Sequence, residues 1–348
     1  MSDPIQQALL AAKGLTNGND APAARSGNSP QAGGLQDRGG LPAGAGALPS
    51  PGGGVRETPL RGLPQRVTIP ATGQVIHAEP DARVRHVART YMHKHGLRYT
   101  PPKDYVRADP ERGARIARAY EEMPHDPHHP LVKAAYNALA RETMQQYHHA
   151  KEHGFKAEFW DPATEQDPYG PSPRLATEDV RQNHHMYVYP TDHGYGAEPI
   201  TQKDIDENPL LAHSGEHWEG KPVRINDIFR AVHDYYGHAK EGVGFRADGE
   251  ENAWRAHASM FTPLARAALT SETRGQNSWV NFGPHGHKNR KASSEDTRFA
   301  DQKIGLLPDW ARNEGAEDFG HARPKRAGGG ALGGEDHPAW IPQRLPTG

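Results

Sequence analysis

Two histidines five residues apart are the strongest candidates for chemistry in this sequence. His233 and His238 lie in the string Val-His-Asp-Tyr-Tyr-Gly-His, at the end of a predicted amphipathic helix. Five positions on a regular α-helix are about 140° apart, so the two imidazoles converge only if the helix ends or bulges between them. Gly237 is the residue that would permit this break. The pair therefore predicts a metal site, and two buried, hydrogen-bonded histidines without a metal are the alternative.

The segment that follows is unusually polar for a buried helix. It carries Glu250, Glu251, Asn252, Arg255 and His257 and leads into Thr-Ser-Glu-Thr-Arg-Gly-Gln-Asn-Ser-Trp, with aromatic residues between the polar ones. Polar groups in such surroundings are costly to bury unless they are paired. We therefore expect them to line a cavity. Because the chain has no Cys, any metal must be held by His and carboxylate ligands.

The histidine string resembles a known metal motif. His-Asp-Tyr-Tyr-Gly-His is similar to the iron-binding signature of the pterin-dependent aromatic amino acid hydroxylases, which is His-Asp/Glu-x-x-Gly-His with a downstream Glu as third ligand. The resemblance implies that His233, His238 and Glu272 hold the metal. Glu251 and His257 are the rival third ligands.

The resemblance has limits that affect the cofactor. The Val-Pro that follows the second His in that family is Ala-Lys here, the distance to Glu272 is shorter, and no pterin-binding loop is recognisable. These departures leave the predicted metal site unchanged. They give no support to a pterin cofactor or to an aromatic amino acid substrate. Residues 232–283 also resemble segments of uncharacterised phage-encoded proteins.

The ligand types indicate the chemistry. Two imidazoles and one carboxylate on one face of an octahedron leave positions open, which suits Fe(II) oxygenases; zinc on the same ligands would instead activate water. Asp234 is expected to accept the second N–H of a ligand His. Candidates for the substrate side are Arg255, Arg274, Asn277 and Trp279. The alternative for Arg274 is a structural ion pair with Glu272.

Composition divides the chain into three parts. Residues 1–65 contain 13 Gly and 8 Pro but no aromatic residue and no His. Such a segment cannot bury enough apolar surface to offset its ordering entropy, so we predict a disordered Gly/Pro-rich arm. Residues 70–315 are expected to form a globular domain, and residues 320–348 a flexible tail.

Local signals predict a mainly α domain with a minor β-hairpin. Capping residues, proline and apolar spacing place helices over residues 81–93, 109–122, 130–154, 226–233 and 250–269. Thr201 and Asp204 form a capping box. Two short strands, over residues 156–160 and 186–189, are expected to pair.

Charge and hydropathy narrow the function and the location. The net charge of −2 predicts affinity for neither nucleic acid nor membranes. No apolar run has the length of a membrane span, and no signal peptide is recognisable. The expected location is the cytoplasm, with the virion as the alternative.

Two functions follow from these observations. The first is a mononuclear non-haem iron oxygenase, hydroxylase-like, that acts on a small-molecule or peptide substrate. The second is a phage virion-associated structural or ejected protein, whose N-terminal arm docks on a capsid or portal protein and whose metal site is structural or absent. Nucleic-acid binding through the basic segment 274–291 is a third, less favoured hypothesis.

Overall fold

The protein is mainly α-helical, as the sequence predicts. The computed structural model describes residues 58, 60–63, 66–69, 71–161, 164–193, 195, 200–290 and 297–313. These residues form helices and three small sheets of two strands each.

The first three helices begin where local signals place them. Helix α1 (Ala82–Lys94) is capped by Asp81, whose Oδ1 accepts a hydrogen bond from the amide of Val84 at 2.9 Å. Helix α2 (Pro110–Glu122) begins with proline after the cap Asp109, and α3 (Pro130–Glu152) also begins with proline. Proline suits the first helical position because its missing N–H would have no helical acceptor there.

The predicted strand pair forms, but it is not a hairpin. Strands β3 (Lys156–Phe159) and β4 (His185–Val188) are parallel, because helix α4 (Arg174–Asn183) lies between them and returns the chain to the same edge. The antiparallel pairs lie elsewhere. They are β1 (Arg66–Thr68) with β2 (Val75–His77), and β5 (His213–Trp218) with β6 (Lys221–Arg224).

The segment that carries the candidate site is a series of short helices. Helix α5 (Gln202–Glu207) begins with the predicted capping box. Helix α6 (Ile225–His233) continues directly into a π-helical turn, π1 (Asp234–Ala239). The later elements are α7 (Ala247–Ala258), α8 (Pro263–Thr270), a second π-helical turn π2 (Ser271–Gly275), α9 (Gln276–Phe282), α10 (Gly286–Asn289) and α11 (Asp309–Asn313).

The helix predicted over residues 250–269 is in fact two helices. The chain leaves the helical path after Ala258, and α8 begins at Pro263. Proline has no amide hydrogen and its ring clashes with the preceding turn, so it ends one helix and starts the next. The prediction of one continuous helix was wrong on this point.

Helix α6 lies between two apolar clusters. Ile228 and Val232 pack in a cluster with α1, β3, β4 and π1, whereas Phe229 packs with α3, α7 and α8. Because one face of α6 contacts each cluster, its last residue, His233, lies between them.

Two leucines that the sequence analysis assigned to the arm belong to an apolar cluster. Leu60 and Leu63 are buried against Ala78, Val243 and Ala253. These two leucines supply the apolar surface that the preceding Gly/Pro-rich sequence lacks. Residues 1–57, the tail at 320–348 and the proposed docking of the arm lie outside the described residues. Of the helices described here, none is both long and apolar enough to cross a membrane.

Gly237 allows π1 to approach α7 closely. A Cβ at this position would lie 3.1 Å from the carbonyl oxygen of Ala253 and 3.3 Å from its Cβ. Its backbone is not among those with positive φ. The sequence therefore identified the important glycine but not its purpose, which is close packing rather than a break in the helix.

Replacing this glycine tests the contact. We expect Gly237→Ala to lower the free energy of unfolding by about 1–3 kcal/mol, since the added methyl group overpacks the contact with Ala253. Urea denaturation of the full chain measures the change. A gain of about 1 kcal/mol, the usual effect of replacing a helical glycine by alanine, would contradict the close approach described here.

Candidate metal centre

The π-helical turn brings His233 and His238 together. Their ring centroids are 5.3 Å apart with the rings nearly perpendicular, and both side chains are buried. The amide of Lys240 donates to the carbonyl oxygen of Tyr235 at 3.0 Å, a bond that spans five residues. A bond over five residues widens the turn, so side chains at i and i+5 share one face. The bulge predicted from the histidine spacing is therefore present.

Glu250, in the first turn of α7, completes a group of three possible ligands. One ligand atom from each of His233, His238 and Glu250 can be chosen so that all lie within 4.8 Å of one another. The Nε2 of His238 is 3.8 Å from Oε2 of Glu250. Among the described residues, no other set of three His or acidic side chains is arranged closely enough to share an ion. Bonds of about 2.1 Å at right angles would place ligand atoms about 3 Å apart, so the three side chains must move closer by up to about 2 Å to bind one ion.

Glu250 was not among the possible ligands that the sequence indicated. Glu250, Ala253 and His257 follow the spacing i, i+3, i+7 and therefore share one face of α7. That face is the one that meets Gly237 of π1. A ligand search restricted to the face of His257 would have selected Glu250 rather than Glu251.

Asp234, the residue after His233, lies beside the group of His233, His238 and Glu250. Its Oδ1 is 4.0 Å from Nε2 of His238, and the side chain is partly exposed. Asp234 also lines the cavity described below. Its predicted role, to hold the N–H of a ligand His, stays a prediction.

His257, one rival third ligand, lies behind His233. Its Nδ1 is 3.1 Å from Nδ1 of His233, and its Nε2 is 2.8 Å from Oε1 of Gln146. Both ring nitrogens are therefore engaged. Burial, with smaller effects from His233, Lys240 and His238, lowers the pKa of His257 well below its usual value.

Glu272, the third ligand implied by the resemblance, is held by other partners. Its Oε1 accepts a hydrogen bond from the hydroxyl of Tyr136 at 2.6 Å, and its Oε2 accepts from Gln276 at 3.0 Å and Gln302 at 2.9 Å. Burial raises its pKa to about 7, although the three hydrogen bonds oppose the shift. The carboxyl group lines the same cavity but does not join the His233, His238 and Glu250 group.

Glu251, the other rival ligand, forms a buried ion pair with Arg274. Two nitrogens of the guanidinium lie 3.0 and 2.6 Å from the two carboxylate oxygens. Arg274 also stacks over the ring of Trp254 at 3.9 Å and donates to the carbonyl oxygen of Ala311. Arg274 therefore forms a structural ion pair, but its partner is Glu251 and not the expected Glu272. Arg274 is not one of the residues that line the cavity.

The other three substrate-side candidates also lie away from the cavity. Trp279 donates its indole N–H to Glu121, and Asn277 accepts a hydrogen bond from Asn281 at 2.7 Å. Arg255 is half-buried on α7 and is not one of the cavity residues. Asn277 and Trp279 lie on α9, which packs against α2.

A cavity opens over the three possible ligands. Its empty volume, including the part continuous with solvent, is about 820 Å³. His233, His238 and Glu250 form one wall together with Asp234, Arg230, Glu272 and Thr273. The aromatic residues of the lining are Trp160, Tyr169, Tyr187, Tyr189, Phe229 and Phe245. The sequence did not identify these residues, because they come from five separate segments.

Phe245 lines the cavity and contacts His238, one of the three possible ligands. Its ring stacks on His238 with centroids 4.0 Å apart and an interplanar angle of 14°. This contact holds the imidazole in one orientation.

Comparisons with protein-family models, with curated proteins and with solved structures each found no match for this chain.

The raised pKa of Glu272 predicts a pH-dependent stability. The folded protein binds this proton more tightly than the unfolded chain, whose pKa is 4.5, so stability falls as pH rises from 4.5 towards 7. We expect wild type to lose about 3 kcal/mol relative to Glu272→Gln between pH 4.5 and pH 8. Urea denaturation of both proteins across this range measures the difference. A difference in stability between the two proteins that does not change with pH would contradict the raised pKa of Glu272.

The pair of Arg274 and Glu251 predicts a loss of stability when one partner is removed. Arg274→Met leaves the Glu251 carboxylate buried without its main partner, so the free energy of unfolding should fall by about 3 kcal/mol. The double variant Arg274→Met/Glu251→Met should recover most of the loss. If the single variant were as stable as wild type, or if it alone lost metal, the structural role would be refuted.

Proposed function

We propose that this protein is a mononuclear non-haem iron oxygenase, hydroxylase-like, with His233, His238 and Glu250 as its iron ligands. One observation carries the proposal. Two imidazoles and one carboxylate, all buried, approach one another at the wall of a cavity lined by aromatic side chains.

The donor set fits Fe(II). Two neutral nitrogen donors and one carboxylate form the ligand set that non-haem iron oxygenases use, and three protein ligands leave positions for other molecules. When bound, Fe(II) supplies the activation of dioxygen. The same donors also accept zinc, which is therefore one of the outcomes that the experiment distinguishes.

The cavity supports a small-molecule substrate. Six aromatic rings line the cavity and provide the apolar surface that small-molecule sites have. Rings on this surface bind the apolar part of a substrate and exclude water from the ligands. Arg230 and Thr273 also line the cavity and would orient a polar substituent of such a substrate.

A pair of matched variants tests the proposal. Glu250→Gln removes the carboxylate ligand, whereas Glu272→Gln makes the same chemical change on a carboxyl group of the same cavity wall. We expect wild type to bind one equivalent of Fe(II) under anaerobic conditions. Glu250→Gln should weaken binding by more than about 100-fold, since loss of an outer-shell partner alone costs 10–100-fold. Glu272→Gln should stay within about threefold.

Nitric oxide, as a probe in place of dioxygen, tests for an open position. Iron-loaded wild type should give the EPR signal of a high-spin iron–nitrosyl complex, and Glu250→Gln treated in the same way should not. Loss of iron in Glu272→Gln with retention in Glu250→Gln would contradict the ligand assignment. Tight binding of zinc with no uptake of iron would contradict the oxygenase.

A further inference from the structure

A chain of buried hydrogen bonds runs from the possible metal ligand His233 to helix α3. The Nδ1 of His233 is 3.1 Å from Nδ1 of His257, and Nε2 of His257 is 2.8 Å from Oε1 of Gln146. The amide nitrogen of Gln146 donates to the carbonyl oxygen of Met260 at 3.4 Å. His257 and Gln146 are both completely buried. Three helices, α6, α7 and α3, therefore contribute to one polar contact inside the core.

The partners determine the direction of each hydrogen bond. The carbonyl oxygen of Met260 can only accept, so the amide nitrogen of Gln146 faces it and Oε1 of Gln146 faces His257. This oxygen can also only accept, so the proton of His257 is on Nε2. The ring of His257 is completely buried among Phe229, Tyr236 and Phe261, where an imidazolium charge would be costly. The ring therefore carries one proton, and its Nδ1 accepts. The donor in the contact between the two rings is therefore Nδ1 of His233.

We propose that His257 and Gln146 are positioning residues that hold His233 in the tautomer with its proton on Nδ1. In this tautomer Nε2 of His233 carries the lone pair that a metal needs. The opposite tautomer would place a proton on the ligand atom. The inference rests on the proposed metal centre for its consequence, but the tautomer itself exists without a metal.

Substitutions of His257 separate positioning from packing. His257→Phe keeps a ring of similar size among Phe229, Tyr236 and Phe261, which already contact it, but removes the acceptor for His233. His257→Asn leaves a cavity but keeps an oxygen that can accept from Nδ1 of His233. If His257 acts only through packing, His257→Asn should weaken metal binding more than His257→Phe does. If His257 positions His233, His257→Phe should weaken metal binding more.

Titration with Co(II), followed by its visible absorption, measures the effect on the full chain. We expect His257→Phe to weaken Co(II) binding by about 10–100-fold, which is the usual cost of losing an outer-shell partner. His257→Asn should recover most of this loss. Weaker binding in His257→Asn than in His257→Phe would overturn the proposal.

A second readout needs no metal. In metal-free protein labelled with ¹⁵N-histidine, long-range ¹H–¹⁵N correlation spectra distinguish a proton on Nδ1 from one on Nε2. We expect Nδ1–H for His233 and Nε2–H for His257, and we expect Gln146→Leu to remove the single tautomer of His257. A proton on Nε2 of His233 would overturn the proposal. If wild type has the expected tautomers but binds no Co(II) and no iron, the positioning chain is supported and the metal centre is refuted.

Discussion

The five-residue spacing of His233 and His238 is the constraint on which the candidate site depends. On a regular helix the two rings would point about 140° apart. The π-helical turn removes this difference and places both rings on one face. Such a turn is rare in proteins and frequently lies at a functional site. Here the packing of Gly237 on Ala253 stabilises it, and the same contact sets the position of α7 and hence of Glu250.

Burial of polar groups is the second feature of this core. Each buried acid near the site has a distinct set of partners. Glu251 binds Arg274, Glu272 accepts from Tyr136 and two glutamines, and Glu142 accepts from the amide and hydroxyl of Thr262. An unpaired charge in these surroundings would be costly, so these partners fix the orientation of each helix as firmly as apolar contacts do. Glu250 has the two histidines among its neighbours.

Local signals predicted the helices well, since a cap or a proline acts within one turn. Asp81, Asp109 and Pro130 fixed the start of three helices, and the spacing of His233 and His238 with a glycine between them was sufficient to predict the bulge. The third ligand could not be predicted in this way. Glu250 and Glu251 are adjacent in sequence and identical in type, yet they are about 100° apart on a helix.

Contacts between distant parts of the chain decide which acid faces the histidines. Arg274, 23 positions further on, pairs with Glu251 and so fixes the rotation of α7. Tyr136, from α3, holds Glu272 away from the ligand group. The parallel pairing of β3 and β4 was missed for a related reason. Short strands carry no signal for direction, and the connecting helix decides it. The cavity, built from several segments, could be found only in the structure.

The most direct test of the central claim is the position of a bound metal. Anomalous diffraction at the iron edge, from crystals of the full chain loaded anaerobically with Fe(II), locates the ion without assumptions about the ligands. The account predicts one peak at bonding distance from Nε2 of His233, Nε2 of His238 and the carboxylate of Glu250, facing the aromatic cavity. A peak at Glu272, or the absence of a peak between the two histidines, would contradict it.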